Sequence, residues 1–202
     1  MGCRYPFLLT LSLAAVAAPI EVSFERDIQS LLTTKGCNSS ACHGSPAGQA
    51  GFKLSLYGAD AAADHAMISK RVDLQTPENS LLLRKPSFAI PHGGGHLLTK
   101  NSDEYQTLLT WLRQGAKRNS SGPRIVSIEV EPRETILTLP DAAAQLTVRG
   151  RLSDGNTVDL TQQVRYAVND EGVASVSATG AVAAKGRGLT IVMARAAGRT
   201  AT

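Results

Sequence analysis

The fold of this chain is decided around Cys37-Asn38-Ser39-Ser40-Ala41-Cys42-His43. Two thiols closed by an imidazole form the ending that a covalently attached c-type haem requires. Each cysteine adds across one vinyl group of the porphyrin, and the histidine that follows ligates the iron. The usual spacing leaves two residues between the cysteines, whereas Asn38 to Ala41 stand here. The vinyl groups sit a fixed distance apart, so the additional residues must bulge from the loop, and Asn38, Ser39 and Ser40 are small turn formers that permit it. Two other chemistries use the same residue types: a disulfide, and a zinc site. Zinc asks for four ligands, and His65, His92 and His96 are scattered rather than arranged as a second close pair.

The surrounding chain has 202 residues, room for one large domain or two modest ones. Hydrophobic residues make up 43% and charged residues 19%, a globular balance. The net charge of +4 is dispersed rather than gathered into a stripe, which gives nucleic-acid binding little support. At the front, Arg4, the apolar run Phe7 to Ala18 and the small residues Ala15-Val16-Ala17 read as a secretory signal over residues 1–17. Pro19 disfavours cleavage after Ala18 and makes Ala18 the expected first mature residue. The apolar run is shorter than the roughly 20 residues a spanning helix needs. Cys3 would leave with the signal. The mature chain would then keep Cys37 and Cys42 outside the cytoplasm, in the compartment where disulfides persist.

From residue 21 to 117 the spacing is helical. Val22 to Leu32 places Phe24, Ile28, Leu31 and Leu32 on one face, with Ser23 as cap and acids in the first turn. Phe52 to Tyr57 alternates and reads either as a short strand or, preferably, as an irregular apolar wall carrying Phe52, Leu54 and Leu56. Ala59 to Ile68 is an expected helix with Met67 and Ile68 inward and His65 exposed. Pro77-Glu78-Asn79-Ser80 opens a short helix at Leu81-Leu82-Leu83. Pro91-His92-Gly93-Gly94-Gly95 is a constrained turn presenting one imidazole. Three consecutive glycines imply positive φ or a close approach to their backbone. Asn101 to Gln114 is the clearest helix: Tyr105, Leu108, Leu109 and Leu112 share a face, Asn101 and Glu104 suggest a capping box, and Gly115 a stop. Trp111 belongs near its seam with the first helix.

Residues 118–123 are a polar linker, after which the period changes to two. Ile125 to Val130, Thr135 to Leu139, Gln145 to Gly150, Val164 to Val168, Val173 to Val176 and Leu189 to Ala194 are short alternating runs. Asp154-Gly155-Asn156 is a strong hairpin signal and Thr179-Gly180 a weaker one. Such a pattern makes a β-sandwich over residues 124–202.

Each half resembles a known family. Phe24-Glu-Arg-Asp-Ile28, Gly36-Cys-Asn-Ser-Ser-Ala-Cys-His-Gly44, Gly51-Phe-Lys-Leu-Ser-Leu-Tyr-Gly58, the Pro77 segment, the Pro91 turn and Trp111-Leu-Arg-Gln-Gly-Ala116 resemble, in this order, the monohaem cytochrome c domain of large secreted planctomycete proteins. The long cysteine spacing is part of that likeness. Val126 to Val130, Leu152 to Gly155, Val158 to Thr161, Val173 to Val176 and Gly180 to Val182 are similar to bacterial Ig-like domains of group 2. The expected architecture is therefore multidomain: a mainly-α cytochrome c-like domain followed by an all-β Ig-like sandwich. In that sandwich type a further strand follows the turn at Ala197-Gly198, and the domain is expected to be incomplete at its C-terminus.

The resemblance implies one covalent haem c held by Cys37 and Cys42, with His43 as proximal ligand. The Pro91 turn stands where such domains carry their distal ligand, which makes His92 the leading choice over Met67, His96, His65 or an open position. Two imidazoles would lower the potential relative to a histidine–methionine pair. Arg71, Arg84, Lys53 and Lys85 are candidates for pairing with propionates or a redox partner protein. The expected function is one-electron transfer in the periplasm or at the cell surface, with the sandwich as a spacer or interaction domain. The alternatives are a structural or adhesive surface protein stapled by haem or disulfide, and a haem enzyme with an open axial site. No Ser-His-Asp order, carboxylate pair or nucleotide loop of comparable specificity is present.

Overall fold

The computed structural model describes residues 21–118, 122–140 and 142–202. The expected signal, with Cys3, and linker residues 119–121 lie outside the described residues. The chain is an N-terminal α-helical region followed by a C-terminal β domain, each with its own core.

Ser23 opens the first helix by accepting from the Arg26 amide at 3.3 Å. A π-helical turn, Phe24–Ile28, runs directly into α1, Gln29–Thr34. The apolar spacing read from the sequence is the buried face: Phe24 and Ile28 are fully buried, and Leu31 and Leu32 nearly so. Phe52 to Tyr57 forms no strand; a single bridge joins Gln49 to Phe52, and Leu56–Gly58 is a 3-10 turn. α2, Ala61–Ser69, is capped by Asp60. A 3-10 turn at Pro77–Asn79 leads into α3, Leu81–Arg84.

The last helix, α4, spans Asp103–Arg113, and its cap is Ser102 rather than Asn101. The Ser102 hydroxyl accepts from the Tyr105 amide, whereas Asn101 sits at φ 70 in the left-handed region, before the helix and out of capping position. α4 buries Tyr105, Leu108, Leu109, Trp111 and Leu112. Trp111 meets Phe24 with ring centroids 5.5 Å apart, closing the core across the first helix.

The β domain consists of β1 Ile125–Glu131, β2 Ala143–Gln145, β3 Thr147–Leu152, β4 Thr157–Asp159, β5 Arg165–Val168, β6 Ala174–Val176, β7 Ala181–Ala184, β8 Val192–Ala196 and β9 Arg199–Ala201. These pair antiparallel as three ladders, β1-β3-β4, β2-β7-β6 and β5-β8-β9, around Val148, Leu146, Leu160, Val164, Val182 and Ala194. The run expected from Gln145 to Gly150 is broken at Leu146, which turns into the core while its amide donates to the Gly180 carbonyl, so the chain passes from one ladder to another. The hairpin expected at Asp154-Gly155 joins β3 to β4, and β9 follows the Ala197-Gly198 turn.

Thr135 to Leu139 is not a strand. Pro132 and Pro140 flank it, each lacking the amide a ladder needs, and Ile136 is 94% exposed. The segment instead walls one side of an open groove in the β domain, opposite residues 186–192.

The two regions touch each other outside their cores. The Ser30 hydroxyl donates to the Gln163 carbonyl, Arg165 reaches the Thr34 carbonyl at 3.4 Å, and the Gly198 amide donates to the Tyr57 carbonyl at 2.8 Å. Among the described residues no helix is long and apolar enough to cross a membrane.

Phe24→Ala should cost about 3–5 kcal/mol, since it empties the contact with Trp111, whereas Ile136→Ala should stay within about 0.5 kcal/mol. Denaturant unfolding of the full chain, followed at the helical signal for Phe24→Ala and at the β-sheet signal for Ile136→Ala, checks both.

Candidate functional site

Lys35 follows α1 and ties the entry to the cysteine loop down: its ammonium lies 2.6 Å from Glu104 Oε1 on α4. That hydrogen bond, aided by backbone amide and Ser102 donors, holds the Glu104 carboxyl down at about 2. Beyond it the chain winds in successive turns. The Cys37 amide donates to Leu32, Ser39 to Gly36, Cys42 to Ser39, His43 to Cys37 and Gly44 to Ser39, all within 3.1 Å. Asn38 and Ser39 are buried, and Asn38 Nδ2 donates to Thr33 Oγ1 at 3.0 Å. Ser40 and Ala41 form the exposed tip. The extra length between the cysteines is therefore taken up partly by two residues folded inward and partly by two pushed into solvent. A Cβ on Gly44 would lie 2.1 Å from the Asn38 carbonyl oxygen, so the loop closes this tightly only with glycine after His43.

Cys37 and Cys42 are partly buried free thiols. Burial pushes the Cys37 thiol up to about 11, and the neighbouring Cys42 adds to the shift.

His43 and His92 are brought together. Their rings lie 6.3 Å apart, centroid to centroid, with planes only 14° from parallel. Each is oriented through Nδ1 by a backbone carbonyl: His43 by Phe52 at 2.9 Å, His92 by Gly95 at 3.1 Å. A carbonyl can only accept, so Nδ1 carries the proton on both rings and Nε2 keeps its lone pair. Burial lowers the His43 pKa below its ordinary 6.5, with the His92 and Arg71 charges adding to the effect against the Phe52 hydrogen bond. His43 is accordingly neutral at neutral pH.

The glycines of the Pro91 turn have distinct reasons. A Cβ on Gly94 would sit 2.8 Å from His92 Cε1, so that position leaves room for the imidazole to fold over its own turn. Gly95 has φ 76 and closes the turn by donating to the His92 carbonyl. Lys85 braces the same turn through Pro91 O at 2.9 Å.

The remaining candidates stand elsewhere. His65 is not exposed as expected: it packs edge-on against Phe24 and Trp111 and bonds the Ala116 carbonyl through Nε2. His96 also uses Nε2, toward Leu98. Met67 is outside the buried core, its sulfur 3.8 Å from Lys70 Nζ. Of the four basic candidates, Lys85 braces the His92 turn and Arg71 stands beside His43, with its guanidinium 5.6 Å from the Phe52 ring that in turn meets His43 at 4.6 Å. The sequence reading missed the Phe52 and Gly95 carbonyls, since a backbone acceptor leaves no mark in residue type.

The donor set present, two thiols beside one histidine with a second imidazole ring 6.3 Å away, is the one a covalently attached haem would ask of the protein. Nδ1 donation to a carbonyl is the usual support of a metal-bound histidine. Among the described residues no three His, Cys, Asp or Glu side chains gather as a metal group. A porphyrin brings four nitrogens of its own and asks only two axial ligands of the protein.

Comparison with known proteins bears on the other half of the chain. Residues 125–196, about a third of the chain, match the family model described as bacterial Ig-like domain (group 2). The C-terminal region is thus a β Ig-like domain, as the observed strands agree. No curated protein matches the chain.

In the chain made without haem-attachment machinery, His43 should titrate below 6.5 by proton NMR, and His92→Ala should move its midpoint upward by removing one opposing charge. The folded state binds fewer protons at His43 than the unfolded state below pH 6.5, so this contribution is intact above pH 6.5 and is lost as pH falls. A His43 midpoint at or above 6.5 would contradict the geometry.

Proposed function

We propose that the chain is a binding module that carries a one-electron centre outside the cytoplasm: the Ig-like domain serves interaction, and the helical region holds one covalent c-type haem. The observation that carries the redox half is the His43–His92 pair, near-parallel and 6.3 Å apart with both Nε2 atoms unengaged by their carbonyl partners. Cys37 and Cys42 would take the two thioether bonds, His43 the proximal position and His92 the distal one. When bound, the haem supplies an iron that gains and loses one electron.

The chain's own residues do the remaining work. The Phe52 and Gly95 carbonyls hold the rings in register and make the imidazoles better donors. Burial keeps His43 neutral and ready to ligate. With both axial positions taken by protein, no site remains for peroxide or oxygen, which favours a carrier over an enzyme. Arg71, beside Phe52, offers a cation to a propionate or to the carboxylates of a redox partner.

A second reading is favoured by the family match, which bears on interaction alone. In it the protein is a structural or adhesive surface component, and Cys37 and Cys42 close a disulfide within one loop.

The mature chain, expressed with haem-attachment machinery, should show a c-type reduced α-band that carbon monoxide leaves unchanged. His92→Ala should open the distal position and make the spectrum responsive to carbon monoxide. An unchanged H92A spectrum removes His92 as ligand. A chain without haem absorption, its two thiols oxidised to each other, establishes the second reading instead.

A further inference from the structure

Among the described residues, the Ig-like domain meets the helical region along α1, the start of the cysteine loop and the Tyr57 turn. Tyr57 is one meeting point. Its amide donates to the Asn38 carbonyl inside the loop at 3.1 Å, and its own carbonyl accepts from the Gly198 amide at 2.8 Å. Its hydroxyl lies 3.3 Å from Arg195 Nη1, and the Arg195 guanidinium also covers its ring at 5.1 Å. Tyr57 holds φ 52, a left-handed conformation that a non-glycine residue keeps only when its surroundings hold it there.

Arg165 is the second contact. Its guanidinium donates to the Thr34 carbonyl, and it stands against Gly36 so closely that a Cβ there would be 2.7 Å from Nη1. Gly36 precedes Cys37 directly. The Gly198 turn is seated just as tightly, since a Cβ on it would come within 2.6 Å of Ala59.

From these contacts we infer that the Ig-like domain is a brace for the cysteine loop rather than a spacer: Tyr57 and Arg165 are positioning residues that hold residues 36–43 in the shape that aligns both thiols and His43. Every link is polar or close-packed and joins elements more than 100 residues apart in sequence, so docking the domains supplies order that the loop does not generate alone. Arg165 has an electrostatic role as well. It places a fixed positive charge one residue from Cys37, and such a charge opposes oxidation of a centre attached there. The brace stands without the haem reading; the electrostatic role rests on it.

Two measurements on variants of the full chain separate the parts. Gly198→Asn keeps a residue that tolerates positive φ while adding bulk against Ala59, so it undocks the turn without straining it. Amide hydrogen exchange, read by mass spectrometry on the chain expressed without haem, should rise about tenfold or more across residues 37–43 in G198N, with α4 and β3 exchanging as in the unaltered chain. Unchanged exchange in the loop overturns the brace, and so does a rise spread equally over α4 and β3.

In the haem-loaded chain, Arg165→Gln should shift the midpoint potential to more negative values, while Arg165→Lys, which keeps the charge, should restore it. Arg149→Gln, a substitution in the exposed pair with Glu131, should leave it in place. A potential equal in R165Q and the unaltered chain overturns the electrostatic role. A chain that binds no haem yet shows the exchange difference leaves the brace standing and removes the redox reading alone.

Discussion

The hydrogen bond from His43 Nδ1 to the Phe52 carbonyl is the contact on which the site depends. It selects one tautomer and stitches the end of the cysteine loop to the wall segment that follows. The Leu54 amide returns a bond to the His43 carbonyl at 2.8 Å, so ring and backbone of His43 are both fixed by residues 52–54. Leu54 is in turn buried in the helical core. The orientation of one imidazole is thus set by the same packing that holds the fold, and a looser core would loosen the ring.

The helical region reaches this order with few regular elements. Its helices are short, and much of the chain between them is turn. What replaces secondary structure is side-chain bonding to backbone: Asp64, fully buried, accepts from the Ser55 amide and hydroxyl and from Gln29 Nε2, joining the wall to α2 and α1. A buried carboxylate is tolerated because three donors meet it. The irregular wall between Phe52 and Tyr57 therefore has its polar groups satisfied without a strand, which is why its alternating pattern did not make one.

The β domain shows the opposite economy. Its ladders are regular but short, its core is aliphatic, and its segments that fail to pair, Thr135 to Leu139 and residues 189–191, leave Ile136 and Leu189 in solvent. Alternation marked these runs as strands because period two reports a two-faced extended chain, not whether a partner is adjacent. The strands that alternation overlooked, β2, β4 and β7, are three or four residues long and take their definition from the neighbours they pair with.

Taken by itself, the sequence determined the order of a helical region and a β domain, the buried face of the first helix and of α4, and the cluster of Cys37, Cys42 and His43, because periodicity and motif spacing are local properties. It also singled out the Pro91 turn, whose glycines announced a constrained backbone. Only the tertiary structure decided which histidine faces His43. His65, His92 and His96 are equivalent as residue types: His92 and His96 meet carbonyls of their own turns, whereas the Ala116 carbonyl that holds His65 and the His43 ring opposite His92 come from segments distant in sequence. The seating of the Ig-like domain on the cysteine loop belongs to the same class: Arg165, Arg195 and Gly198 are ordinary surface and turn residues until folding brings Tyr57 and Gly36 against them.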